Sequence, residues 1–496
     1  MHASSNESLH QCDYLRPHST AYGSNLAELV HLNEQIGSLD NHIHRLTELR
    51  HTLRSRANQL QNLCSPAYAL PTEVLSHIFC QMVDPGVDSL EASAEVYKKC
   101  IRQSLVLSSV SARFRRVAFG TSELWKRVLL DITDEAVDCL VSMLQHCVTH
   151  APYLDIIIYA GGSDIGELST YYSSLFLPEI VCKVKAFQLL HYDDFEIWIE
   201  KLSSFPILDT LVITQSYPEM DTGSNFNLGA LTSVTRLGLH CIHLYKPFTL
   251  PPSVQVLLTV NVPQHVLVSF LHRCPNLVEC STILPAMAIG DEEEFAAPAV
   301  LNYIKRLSWD IEYPSCIEFI QNIHMPSLEV LELEHHHYTK FELVHLLCCN
   351  VSMSLTTLIL TTWASNFDQD DLHRFFRLPF PRLHTLEFCR RDTETDILDI
   401  IQGLRPDYEV GRDLKNPYLP SLRSLTLGYA MGEDLFRSLL ALLQEWRIGE
   451  TSYFHIKVAS TDVFTDQACA PQLQKELISV VGNRQIGMTW GSEKLC

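Results

Sequence analysis

Near the amino end of the chain, apolar residues recur at alternating steps of three and four. This heptad spacing keeps one stripe of a helix facing a partner helix. It predicts a coiled-coil helix over residues 23–63, preceded by a disordered tail over residues 1–22. The stripe either packs back on its own chain, as in an amphipathic helix, or binds a partner or a second copy of the chain. Its positions are Leu29, Leu32, Ile36, Leu39, Ile43, Leu46, Arg50, Leu53, Ala57 and Leu60.

Residues 70–79 read Leu-Pro-Thr-Glu-Val-Leu-Ser-His-Ile-Phe and have the features of a helix start. Pro71 fits the first helical turn, where its missing amide hydrogen costs no hydrogen bond. Glu73 falls in the same turn, where the helix dipole favours an anion. The apolar residues of this segment share one face at helical spacing. They are Leu70, Val74, Leu75, Ile78 and Phe79.

A second helical pattern covers residues 105–119, and Gly120 then fits a helix end. Its arginines can stay in water, because the apolar residues share the other face of the helix. The apolar face consists of Leu107, Val110, Phe114, Val117 and Ala118. The pair Leu124-Trp125 closes this part of the chain.

In this order the motifs resemble the F-box family, and a coiled coil followed closely by them resembles the layout of many fungal F-box-like proteins. In that family the first helix and its Leu-Pro step dock onto a small acidic Skp-type adaptor, which links the protein to a cullin-RING ubiquitin ligase. Ser111 and Phe114 stand where the family often has cysteine and tryptophan. The stretch between the two motifs, residues 84–104, is longer than is usual in the family. The resemblance implies an all-α F-box-like domain over residues 64–132. Its implied adaptor-binding residues are Leu70, Pro71, Val74, Leu75, Ile78, Phe79, Val110, Phe114 and Trp125.

From about residue 150 to the end, a short unit returns: an apolar residue, two spacers, an apolar residue, one spacer and an apolar residue. Most of its spacings lie in the range of leucine-rich repeats, roughly 20 to 29 residues. Seven of eleven copies carry a proline two residues before the first position, which stops a preceding helix and starts an extended segment. The pattern predicts an α/β solenoid of irregular leucine-rich repeats over residues 150–496. Its copies begin at Leu154, Val184, Leu208, Val234, Ile304, Leu328, Leu355, Leu383 and Leu422, with degraded copies at Val254 and Leu277.

Charge and cysteine usage narrow the partners and the compartment. A formal net charge of -21 disfavours nucleic acid and anionic membranes, because both repel such a surface. Residues 98–127 are a local exception, with eight basic residues against Glu123 alone, and suit an acidic protein partner. The 16 cysteines include no Cys-x-x-Cys pair, which favours free thiols in a reducing compartment. The sequence shows no signal-peptide pattern and no stretch of membrane-helix length, so we expect a cytoplasmic or nuclear protein.

The sequence carries no recognisable catalytic, cofactor or metal motif. His335, His336 and His337 follow a predicted strand, where successive side chains point to opposite faces, so the three share one ion poorly. The acidic runs at 291–294 and 368–371 lack the spacing of a calcium loop. We therefore expect neither an enzyme nor a bound cofactor or metal.

These patterns lead to one favoured function and two rivals. The favoured function is that of a substrate-recognition subunit of a cullin-RING (SCF-type) ubiquitin ligase, with an F-box that docks the adaptor and a solenoid that binds a substrate protein. The first rival is a scaffold that uses the coiled coil and the solenoid without any ligase. The second rival is an enzyme built on a solenoid, which requires a pocket of convergent polar groups.

Overall fold

The chain divides into two compact units, Met1–Ile78 and Phe79–Cys496, in a computed structural model. The tail predicted over residues 1–22 lies, up to residue 18, outside the described residues. No helix in the described part of the chain is long and apolar enough to cross a membrane. The described residues are 19–83, 86, 88, 90, 93–131, 137–159, 176–190, 195–215, 227–242, 249–283, 299–311, 323–335, 341–361, 369–389, 400–401, 404, 419–428, 433–445, 454–458, 475, 486–490 and 493–494.

The first unit contains the long amino-terminal helix α1, Ser19–Cys64, which confirms the predicted helix and extends it slightly at both ends. At 1.5 Å per residue its 46 residues span about 70 Å. A short helix α2, Pro66–Ala69, follows, and Pro66 stands in its first turn, where no amide hydrogen is needed. The boundary between the units falls within α3, Thr72–Val83. The Pro71 carbonyl accepts a hydrogen bond from the Leu75 amide at 3.1 Å and so starts α3.

The second unit begins with helices α4, Ala94–Val110, and α5, Ala112–Gly120, followed by a 3-10 turn over Ser122–Trp125. Ser111 is extended and ends α4, and its Oγ accepts a hydrogen bond from the Phe114 amide at 3.1 Å, which caps α5. Ser104 Oγ donates to the carbonyls of Cys100 and Leu124, each at 3.0 Å, and ties α4 to the turn. These helices belong to the same compact unit as the sheet, because α4 contacts the first two strands.

Among the described residues, the rest of the second unit contains a sheet of 15 strands. Neighbouring strands are parallel except for the last pair, and they follow chain order, as expected for a solenoid. The strands of this sheet are β1 Arg127–Asp131, β2 Leu154–Tyr159, β3 Val184–Leu190, β4 Thr210–Thr214, β5 Arg236–His240, β6 Val256–Val260, β7 Glu279–Ile283, β9 Arg306–Ile311, β11 Val330–His335, β12 Thr357–Thr361, β13 Thr385–Cys389, β14 Ser424–Leu427, β15 Phe454–Val458, β16 Ile486–Trp490 and β17 Glu493–Lys494. Strands β8, Ala299–Val300, and β10, Ile323–His324, pair separately.

Helices connect several of these strands within the described part of the chain. They are α6 Val137–His150, α7 Pro178–Val181, α8 Phe195–Leu202, α9 Gln264–Arg273, α10 Phe341–Val351, α11 Gln369–Phe376 and α12 Glu433–Glu445. Each of the eleven predicted repeat copies contains a strand, namely β2–β7, β9 and β11–β14. This open arrangement of parallel strands and helices agrees with the predicted α/β solenoid. The sheet starts earlier than residue 150, because β1 already pairs with β2.

One continuous ladder of apolar residues forms the interior face of the sheet. Parallel pairing in register places the central apolar residue of each repeat beside that of the next. Every member is at most 1% exposed, so the ladder lies in the core of the second unit. Its members are Val128, Ile156, Phe187, Leu211, Leu237, Leu257, Cys280, Leu307, Leu331, Leu358, Leu386, Leu425 and Ile456.

Candidate protein-binding surfaces

Helix α3 is apolar on two sides, and one of them is exposed. Leu75, Phe79 and Val83 are buried, whereas three residues at steps of four remain in solvent. This outward stripe of α3 consists of Val74, 42% exposed, Ile78, 37% exposed, and Met82, 55% exposed. Burial of large apolar side chains against a partner lowers the free energy, so the stripe suits a protein contact.

Helix α4 exposes apolar residues in its carboxyl-terminal half. Its inward face buries Tyr97, Cys100, Ser104, Leu107 and Ser108. The opposite side carries an outward cluster of α4, consisting of Leu105, Val106 and Val110, each between 53% and 55% exposed. Neighbouring exposed arginines, Arg102 in α4 and Arg115 and Arg116 in α5, add positive charge to this part of the chain. An apolar cluster with basic neighbours suits an acidic partner.

The nine residues predicted to bind an adaptor divide into three groups. Four are exposed, namely Pro71, Val74, Ile78 and Val110, and two are half-buried, Leu70 and Phe114. Three are core residues, namely Leu75, Phe79 and Trp125. Their use as adaptor contacts stays a prediction, and the exposed residues are the ones that a partner can reach without unfolding the helices.

Two of these core residues, Phe79 and Trp125, lie in the second unit and pack within it. The Phe79 and Phe114 rings pack 5.1 Å apart, and Trp125 Nε1 donates a hydrogen bond to the Ala118 carbonyl at 2.9 Å. Met82, Leu105 and Val106 were not among the predicted binding residues, although they are exposed. The sequence could have indicated Met82, because it continues the four-residue spacing of Val74 and Ile78.

The side of the sheet opposite the interior ladder carries a second line of residues in register, here called the central row. Its amino-terminal part is apolar, with Gln188 as the exception, whereas its carboxyl-terminal part is mostly polar. The row consists of Leu129, Ile157, Gln188, Val212, Gly238, Leu258, Ser281, Ser308, Glu332, Ile359, Glu387, Thr426 and Lys457.

The segment before α4 and the first turns of α4 cover the amino-terminal part of the central row. Tyr97 packs against Leu129 and Ile157 and is fully buried. Tyr97 Oη accepts a hydrogen bond from Gln188 Nε2 at 3.3 Å. We call residues 88–101 the insert segment; the structure describes all of them except 89, 91 and 92.

The amino-terminal part of the insert segment reaches further along the sheet. Leu90 packs against Val212 and Leu258, and Asp88 forms an ion pair with Arg236. Gly238 lies beneath this contact, where an added Cβ would come within 3.1 Å of a Val212 methyl and 3.5 Å of a Leu90 methyl. Glycine therefore allows the close approach. The insert segment thus occupies the face of β1–β6 that repeat proteins commonly use for partners.

A cavity of about 550 Å³ lies between the start of α4 and the ends of β1–β5. Its lining is Ser93, Ala94, Glu95, Lys98, Leu129, Asp131, Tyr159, Gln188, Leu190, Thr214 and His240. Burial lowers the pKa of His240 to about 4, so its ring is neutral at neutral pH. Its Nδ1 lies 3.3 Å from Thr214 Oγ1. The walls combine acidic, basic and amide groups, so they favour neither an anionic nor a cationic ligand.

Among the described residues of the insert segment, the packing contacts with the central row lie between β1 and β6. Arg306 bridges two neighbouring strands, with its Nε 3.4 Å from Glu279 Oε1 and its Nη2 3.3 Å from Glu332 Oε2. Glu334 and Glu387 add carboxylates on strands β11 and β13, and both are half-buried. The half-buried apolar Ile359 lies in the row between Glu332 and Glu387. This stretch offers a polar, mainly acidic surface with one apolar contact.

Comparisons with known proteins give limited similarity. No family model matches the chain, and no curated protein matches it. Among solved structures, it is similar to the crystal structure of a Rad7 and Elc1 complex in yeast, with 14% identity over 86% of this chain and 94% of the other, at a TM-score of 0.32. A protein from Bacteroides fragilis aligns at 13% identity over 74% of this chain and 73% of the other, at a TM-score of 0.21. These values are too low to assign a family or a function.

Proposed function

We propose that the chain is a substrate-recognition subunit of a cullin-RING ubiquitin ligase. In this proposal α3 and α4 bind a Skp-type adaptor, and the uncovered part of the central row binds a substrate protein. The observation that carries it is the exposure of six large apolar side chains, in the outward stripe of α3 and the outward cluster of α4, on helices that bury their other faces. Exposed apolar groups with basic neighbours are typical of a contact with an acidic protein.

The substrate side of the proposal rests on the contrast along the central row. Tyr97 and Leu90 of the insert segment pack against the row between β1 and β6, so the proposal places the partner on the row over β7–β13. There the carboxylates of Glu279, Glu332, Glu334 and Glu387 outnumber the basic side chains of Arg306 and of Lys457 at the end of the row. A substrate segment with basic residues and one apolar anchor would complement this surface, because charge complementarity favours its encounter and alignment.

The adaptor contact is tested with the full chain and a purified Skp-type adaptor. Ile78→Asp combined with Val110→Asp places a carboxylate in each proposed contact. The adaptor would bury both apolar side chains, and each contributes about 1.5 kcal/mol to binding. Loss of both weakens binding about 100-fold. The matched control is Tyr303→Asp with Met353→Asp, because both residues are exposed apolar side chains, at 61% and 64%, on the sheet-bearing part of the second unit.

Two results would contradict the proposal. One is the absence of adaptor binding by a folded wild-type chain. The other is equal loss of binding in the test and control variants, which would mean that surface charge in general, and not these helices, governs the interaction.

A scaffold without ligase activity is the second candidate function, and it too would use the exposed apolar stripe of α1. Its apolar residues require a partner helix in either function, so exposure alone favours neither. Recovery of a cullin with the adaptor-bound chain would support the ligase. Adaptor binding without a cullin, under conditions in which a known subunit recovers one, would support the scaffold.

A further inference from the structure

Helix α1 carries an apolar seam with no covering element in the described part of the chain. Leucine occupies five successive d positions of the heptad, at Leu32, Leu39, Leu46, Leu53 and Leu60. The a positions are Leu29, Ile36, Ile43, Arg50 and Ala57. The eight leucine and isoleucine residues of the seam are each between 49% and 64% exposed. A helix of this composition needs a partner, because an isolated seam leaves all of this surface in water.

A second copy of the chain can supply that partner. At about 80 Å² for each exposed leucine or isoleucine, the eight seam residues of two copies offer about 1,300 Å², above the roughly 1,000 Å² expected of a specific interface. The seam is also continuous over more than four heptads, which a coiled coil requires. The area therefore suffices without any other contact.

The charges of α1 are separated along its length. Glu28, Glu34 and Asp40 lie in the first part, which has no lysine or arginine. Arg45, Arg50, Arg54 and Arg56 lie in the second part, against Glu48 alone. The helix has no net charge in a chain of net charge -21. Two copies that run in opposite directions place each acidic part beside a basic part.

We propose that α1 self-associates as an antiparallel coiled coil in one register, in which Leu29 of one copy opposes Leu60 of the other. In this register Ile36 packs against Leu53, and Ile43 packs against Leu46. An a position then opposes a d position of the other copy at every layer. Each g position lies beside a g position of the other copy, and each e position beside an e position. This orientation does not depend on adaptor binding.

Every charged residue at an e or g position finds an opposite charge in this register. Glu28, at g, faces Arg56 of the other copy, and Asp40, at e, faces Arg54 of the other copy. Twofold symmetry doubles both pairs, so the interface has four ion pairs. Arg50, the polar residue of the seam, opposes Leu39 of the other copy and lies next to its Asp40.

Other arrangements of two α1 helices lose these ion pairs. A parallel pair places Arg50 directly opposite Arg50 of the other copy, and its flanking contacts, such as Glu28 with Asn33 or Gln35 with Asp40, contain no opposite charges. A shift of the antiparallel register by one heptad in either direction also leaves all four charged flank positions without an opposite charge. In parallel coiled coils, isoleucine at a with leucine at d favours two strands, but α1 has isoleucine at only two a positions, Ile36 and Ile43.

A cross-link reports the direction directly. The native Cys64 extends the seam as an a position and is an exposed free thiol. The proposed register brings Cys64 opposite Asn25 of the other copy. We expect the full chain of 56.4 kDa to sediment at twice its mass. Under mild oxidation we expect Asn25→Cys to join its introduced thiol to Cys64 of the other copy in a disulfide, identified by peptide mapping. A monomer at micromolar concentration, or a Cys64–Cys64 disulfide between copies of the wild type, would overturn the proposal.

A charge exchange gives an independent test. Glu28→Arg with Asp40→Arg turns four attractive contacts into repulsive ones and raises the dimer dissociation constant about tenfold to a hundredfold. Addition of Arg54→Glu and Arg56→Glu restores wild-type affinity only if these positions face each other. Equal affinities for all three chains would contradict the antiparallel register, because a parallel pair gives these residues no charged neighbours.

Discussion

Replacement of Tyr97 by phenylalanine tests the contact between the insert segment and the sheet. The Tyr97 hydroxyl accepts a hydrogen bond from Gln188 Nε2 at 3.3 Å, and both side chains are at most 1% exposed. The ring remains in the variant, so its packing against Leu129 and Ile157 is retained. At neutral pH we expect Tyr97→Phe to lower the free energy of unfolding by about 1 kcal/mol, the usual net contribution of one buried hydrogen bond.

The pH dependence of this loss is specific to a buried phenol. Desolvation by burial raises the pKa of Tyr97 well above its ordinary value of 10.0. Above about pH 10 the unfolded chain therefore loses this proton while the folded chain retains it. The stability that Tyr97 contributes is fully present below about pH 10 and is lost as the pH rises further. The deficit of Tyr97→Phe should shrink and then reverse in alkali, because phenylalanine has no proton to lose.

Urea unfolding of the wild type and the variant at about pH 7 and about pH 11 measures both effects. Tyr303→Phe is the matched control, because Tyr303 is 61% exposed. The reasoning would be refuted if Tyr97→Phe matched the wild type at both pH values. That result would mean that the insert segment does not bury Tyr97 against the sheet in solution.

Three further changes test separate features. Burial lowers the pKa of His240 from 6.5 to about 4, so the unfolded chain takes up this proton first and stability is lost as the pH falls through that window. His240→Gln should reduce the loss between about pH 7 and about pH 5 by up to about 2 kcal/mol in urea titrations. Gly37→Ala should stabilise α1 by about 1 kcal/mol, measured by amide hydrogen exchange, because the added Cβ meets nothing within 4 Å. Ser111→Ala should cost about 1 kcal/mol in thermal unfolding, because it removes the cap on the Phe114 amide. Equal pH slopes, unchanged exchange or an unchanged midpoint would contradict the respective prediction.

The repeats were predictable because their chemistry is local. A proline two residues before an apolar residue both ends a helix and starts a strand, so Pro206 and Pro326 precede β4 and β11 as expected. The repeat pattern does not predict β1, because Arg127–Asp131 follows Trp125 closely and falls within the predicted helical domain. Strand β16 contains Gly487 and a polar Thr489, which break the repeat pattern.

The outward faces of the helices were less predictable for a different reason. In α3, Val74 and Ile78 are as apolar as Leu75 and Phe79, so helical spacing alone does not tell which side meets the core. The contact of Tyr97 with Gln188 joins residues 91 positions apart, and no local pattern encodes such a pairing. The position of the insert segment on the sheet therefore had to come from the structure.

Methionine oxidation tests the central claim most directly. Met82, 55% exposed, belongs to the outward stripe of α3, whereas Met353, 64% exposed, lies in the turn after α10 and serves as an internal reference in the same chain. Hydroxyl-radical labelling of the full chain, with and without a Skp-type adaptor, reports the exposure of both side chains at once. Our account predicts that bound adaptor protects Met82 and leaves Met353 unchanged. Undiminished oxidation of Met82 in a chain saturated with adaptor would contradict it.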